Sequence, residues 1–144
     1  MTIRPRAVRA LKDVRTRLRD VAAASAAMAN DARDHSHLAL VSEHDKLEEY
    51  LDAAGGELSA ARTVHELGRV AETTGVYRLD VVDAAARHAH AERAAEAASD
   101  RLRDSARQLR STEKLHERLV GERTKDEARG EQRLNDDIAS ARRR

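Results

Sequence analysis

The chain carries seven histidines, the side chains best suited to hold a metal or move a proton, and their spacing argues against both uses. His35 and His37, and again His88 and His90, stand two residues apart. On a helix such pairs point nearly opposite ways and cannot chelate one ion. Glu113 and His116 form a single Glu-x-x-His, the spacing of di-iron helical bundles, but those sites need a second copy and further glutamates. Nothing on the facing stripe supplies them. There is no glycine-rich phosphate loop and no elbow around a nucleophilic serine, and there are no cysteines. No catalytic residue, metal or cofactor is therefore expected, and no small-molecule substrate: the protein does not read as an enzyme.

Arginine is the other residue able to do chemistry, by recognising anions. Residues 1–20 hold Arg4, Arg6, Arg9, Lys12, Arg15, Arg17 and Arg19 against Asp13 and Asp20, a net charge of +5. Residues 41–60 hold Lys46 against Glu43, Asp45, Glu48, Glu49, Asp52 and Glu57, a net charge of −5. The whole chain is only +1, so this field orients a partner more than it adds affinity. Nucleic-acid binding is one reading of the basic segment. It is disfavoured because Asp13 and Asp20 interrupt the run and no aromatic side chain interleaves with it. A solvated basic face and an acidic protein cavity are the other readings.

The elements that position these residues follow from periodicity. Val81, Ala84, His88, Ala91, Ala95, Ala98, Leu102, Ser105, Leu109, Thr112, His116 and Leu119 alternate in steps of three and four. That is the seam of a long helix buried against another helix. A second stripe, Leu11, Val14, Leu18, Val21, Ser25, Met28, Ala32 and His35, is expected to face it, drifting to Leu40, His44, Leu47, Leu51 and Ala54. The fold class is all-α, a two-helix antiparallel coiled-coil hairpin in one domain. Helix 1 should run from about residue 5 to 54, with Pro5 in its first turn and Gly55-Gly56 as its stop. A tip spans 55–75, and helix 2 runs from about 76 to 141. Within the tip, Thr63-Val64-His65-Glu66 has capping-box spacing, which opens either a separate short helix or the first turns of helix 2. In a hairpin the basic start lies beside Arg142-Arg143-Arg144.

Composition agrees with long helices. The chain has 144 residues, 37% charged and 1% aromatic, with one proline, too little bulk for a thick core. The longest apolar run, Val21–Ala29, is too short to cross a bilayer, and no continuous apolar segment follows the basic start. A cytoplasmic location is expected.

Several local motifs, in order, resemble the FliJ/YscO family of flagellar and injectisome type III secretion. Leu11-Lys12-Asp13 followed by Ala22-Ala23 is similar to the family's opening, and Tyr50 falls where a tyrosine is common. Leu115-His116-Glu117-Arg118 resembles its Leu-x-Glu-Arg, and Glu131, Leu134 and Asp136-Asp137-Ile138-Ala139 resemble its closing run. The resemblance implies a non-enzymatic stalk whose paired terminal helices enter the ring of the hexameric export ATPase. The rest of the hairpin would reach the cytoplasmic domain of the export gate, with export chaperones as further associates and contact with the membrane only through partners. Carried onto this chain, the ring-binding residues are Arg4, Arg6, Arg9, Lys12, Arg15, Arg19, Arg123, Arg129 and Arg133. The gate-binding stripe is Tyr77, Val81, Ala84 and His88, with Tyr50 opposite. An ungapped register would instead give Thr73, Tyr77, Asp80 and Ala84. The family's tip phenylalanine is absent. The alternatives to this function are a self-associating coiled-coil scaffold and a nucleic-acid-binding hairpin.

Overall fold

Thr63 and Glu66 set where the chain turns. The Thr63 hydroxyl accepts the Glu66 N–H at 3.2 Å, while the Glu66 carboxylate accepts the N–H groups of Arg62 at 2.9 Å and Thr63 at 3.1 Å. This reciprocal capping box satisfies donors that a helix start leaves open. The N–H of Arg62, then that of Thr63, holds the Glu66 carboxyl below the usual glutamate range. The Leu67 N–H then donates to the Thr63 carbonyl at 3.3 Å, opening the helical ladder.

The structure is a computed structural model that describes residues 5–60 and 62–141. It holds two helices, α1 (Pro5–Ala60) and α2 (Val64–Ala141), packed against each other as a helical hairpin, with no strand among the described residues. Arg4 and Arg142-Arg143-Arg144 lie outside the described residues.

The glycines do not break the helices where their positions suggested. α1 passes through Gly55-Gly56 and continues to Ala60 rather than ending near 54. α2 starts at Val64 rather than near 76 and passes Gly68 and Gly75 unbroken. The capping box therefore opens the first turns of α2, and no separate tip helix forms. No glycine takes a positive φ among the described residues, so the left-handed C-cap that would stop α1 at the glycine pair is not made.

Contacts group the helices into two pairs: the chain to Ala22 with the chain from Arg101, and Ala23–Asp100. The terminal pair is antiparallel, with Lys12 reaching Glu113 at 3.7 Å and Arg15 donating to the Gln108 side-chain oxygen. So is the Ala23–Asp100 pair, where Ser36 meets His88 at 3.1 Å and the rings of Tyr50 and Tyr77 stack at 5.0 Å.

On α2 the expected seam is the observed one. Ala84, Ala95, Ala98, Leu109 and Thr112 are buried, and the intervening seam positions are half-buried. On α1 the expected stripe is wrong by one residue. Leu11, Val14, Leu18, Val21 and Met28 are 42–72% exposed. The buried and half-buried positions instead include a stripe of Val8, Lys12, Arg15, Arg19, Ala22, Ala26, Ala29, Arg33, Ser36, Leu40, Glu43, Leu47, Tyr50 and Ala54, flanked by half-buried Thr16 and Asn30. The stripe runs in steps of four and three without a slip.

Two physical terms favour that register. The seam through Leu40, Leu47 and Ala54 continues in unbroken steps of four and three into the positions behind it, with no drift of the kind a 3.6-residue period allows. Alanine then meets alanine: the Ser36–His88 contact sets a register that brings Ala26 level with Ala98 and Ala29 level with Ala95. Small residues on both sides let the backbones approach closely. Lys12, Arg15 and Arg19 cover the seam with their aliphatic stems and keep their heads in water.

Candidate interaction surfaces

The sequence-predicted basic residues divide into two groups. Lys12, Arg15 and Arg19 are half-buried along the α1 seam. Lys12 faces Glu113, Arg15 is bonded to Gln108, and Arg19 folds onto Asp20 at 2.5 Å. Arg6 and Arg9 are exposed, as are Arg123, Arg129 and Arg133 on α2. Arg123 pairs with Glu127 at 2.7 Å and Arg129 with Asp126 at 3.7 Å. These exposed i,i+3 and i,i+4 pairs contribute little to stability.

Beyond Leu119 the α2 helix outruns its partner. Every residue from Glu122 to Ala141 is exposed, including Leu134 at 61% and Ile138 at 46%. Among the described residues nothing covers this twenty-residue stretch, and charged side chains lie all around it.

The other predicted set, Tyr50, Tyr77, Val81, Ala84 and His88, lies in the Ala23–Asp100 pair and faces its own seam. Tyr50 and Tyr77 stack on each other, their planes 29° apart. Ala84 is 1% exposed and unreachable while the helices are paired. Tyr50, Tyr77, Val81 and His88 keep an accessible edge. Of the alternative register, Thr73 and Asp80 are exposed.

His88 is the best-anchored of the histidines. The Ser36 hydroxyl donates to the Arg33 carbonyl at 2.7 Å, and its oxygen lies 3.1 Å from His88 Nδ1. His88 Nε2 lies 3.5 Å from the Glu92 carboxylate, and the ring of His37 packs 5.3 Å away. The sequence reading missed His37 as this partner because the α1 seam was placed one residue off. His116 sits on the α2 seam with its Nδ1 buried and without a hydrogen-bond partner among the described residues. No group of three histidine or carboxylate side chains there is arranged to hold a metal ion. None of the described helices is long and apolar enough to cross a membrane.

Lys46, set among the acidic side chains of residues 41–60, donates to Glu43 at 2.7 Å. That bond, the Glu43 charge and the nearby Asp80 raise the lysine above its ordinary value.

An all-helical hairpin whose described C-terminal stretch is exposed is the class of protein these features define. The family described as flagellar FliJ protein matches residues 6–144, and the chain belongs to it. Comparison with curated proteins and with solved structures returns no match. Membership makes this a flagellar export-related protein, in a family of non-catalytic components associated with the flagellar export apparatus.

Proposed function

We propose that this chain is a central-stalk protein of the export apparatus that docks into the hexameric export ATPase ring and links it to the export gate. The single observation that supports this most is the charge-bearing helix from Glu122 to Ala141, every residue of which is exposed among the described residues. Inside a ring cavity such a helix biases subunit conformations by its charges without adding a reacting group. Arg6, Arg9, Arg123, Arg129 and Arg133 are the exposed cations that meet the ring, with Arg4 beside them in sequence. Lys12, Arg15 and Arg19 contribute by bracing the terminal pair as much as by contact.

The gate contact uses the accessible edges of Tyr50, Tyr77, Val81 and His88, with Ala84 as packing beneath them. Export chaperones are the third class of partner. The stalk works on the cytoplasmic side and meets the membrane only through these partners.

The test is hydrolysis by the cognate export ATPase, with and without the full chain, alongside a direct binding measurement. The expected result is binding that raises hydrolysis or hexamer formation, and loss of that effect when the chain is cut after Gly121. No binding and no change in hydrolysis would overturn the reading.

A further inference from the structure

Leu11, Val14, Leu18 and Val21 stand one residue away from the seam of the terminal pair and stay 42–68% exposed. Their steps of three, four and three keep them in line only against a helix of the same period. Beside Leu11, the α2 side of the surface is Ser111, Thr112, Lys114, Leu115 and Arg118, which form a groove with it. Leu11 is its α1 wall, with the exposed stripe of Val14, Leu18 and Val21 running on from it, and its α2 wall carries the cations Lys114 and Arg118 beside Leu115. A helix that covers it needs apolar residues at matching steps, with carboxylates beside them.

The α2 tail has that pattern. Leu134, Ile138 and Ala141 step by four and three, as Val14, Leu18 and Val21 do. Helical periodicity puts Glu127, Glu131 and Asp137 on the same face, while Arg129 and Arg133 turn away. The tail points away from its own α1, so it cannot reach its own groove without breaking the helix. A second copy of α1 in the groove would bring Arg15, Arg17 and Arg19 against Lys114 and Arg118, which is unfavourable.

We infer that two copies of this chain associate end to end, the α2 tail of each lying parallel to α1 of the other. Leu134, Ile138 and Ala141 cover Val14, Leu18 and Val21, and Glu131 reaches Lys114 and Arg118. A two-fold axis makes the contact twice, as closed dimers require. This association does not depend on the stalk reading. Where both hold, the dimer covers the tail that the ring receives, so pairing and docking exclude each other.

Sedimentation of the full chain from about 1 µM to about 1 mM tests this. The mass should rise from 16.0 kDa toward twice that value. Leu18→Glu and Leu134→Glu both change exposed positions, so helicity by circular dichroism should hold. Each should weaken association about tenfold or more, because a buried leucine is lost twice per dimer. The chain has no cysteine, so mixing Val14→Cys with Leu134→Cys chains should give an interchain disulfide on oxidation. A mass of 16.0 kDa throughout, or a dimer untouched by Leu134→Glu, overturns the proposal. Neither result bears on ATPase binding, which is measured separately.

Discussion

Between Ala23 and Asp100 the buried residues are Ala26, Ala54, Ala84, Ala95 and Ala98, joined by Val70; in the terminal pair they are Val8, Leu109 and Thr112. The first region packs by bringing backbones close. The second packs by inserting side chains and laying the stems of Lys12, Arg15 and Arg19 over them. Alanine contributes little transfer free energy, so the alanine pair relies on fit, while the terminal pair relies on bulk. The two regions should therefore fail in opposite ways, one when filled and the other when emptied.

The largest expected effect comes from emptying the terminal pair. Leu109→Ala should cost about 3 kcal/mol, read by urea unfolding under circular dichroism; a loss below about 0.5 kcal/mol would mean that Leu109 is not its anchor. Filling the alanine pair comes next. Ala84→Leu should cost about 2 kcal/mol by pushing the helices apart, and a stabilised variant would break the contrast between the regions.

Removing the cap at the turn should cost about 1 kcal/mol in Thr63→Ala. Because the Glu66 carboxyl is lowered, its contribution is full above the ordinary glutamate value and lost as pH falls through the lowered one. Glu66→Gln, which removes the titrating carboxyl, should abolish that acid dependence, read as the pH profile of urea unfolding. The smallest effect tests the glycine pair. Gly55→Ala and Gly56→Ala should each stabilise by about 0.5 kcal/mol, since both are helical and an added Cβ meets nothing within 4 Å. A loss would restore them as a helix stop.

The α2 seam was legible because only one stripe of that helix carries the heptad rhythm, and its charges fall elsewhere. α1 carries two stripes one residue apart. The more apolar one, Leu11 to Met28, drew the sequence reading, although the structure leaves it exposed. What decides between them is non-local: Ala26 and Ala29 match the alanines of α2, and Leu40 and Leu47 lock the register downstream. The capping box was legible as chemistry because Thr63 and Glu66 supply both halves of it. Gly55-Gly56 misled because the expected stop needs a glycine in the left-handed conformation, and here none takes it. Of the candidate residues, Tyr50 and Tyr77 were read as facing each other, and they stack. That Lys12, Arg15 and Arg19 are half-buried could not be seen without the register.

The register of α1 is the claim on which the exposed stripe, the groove and the braced cations all depend. Its most direct test is a pair of cysteine variants in this cysteine-free chain. Ala26→Cys with Ala98→Cys should close an intramolecular disulfide under mild oxidation, since both alanines are buried and the Ser36–His88 register sets them level. Ser25→Cys with Ala98→Cys should stay reduced. Closure of the second pair and not the first would place the apolar stripe in the seam and contradict the account.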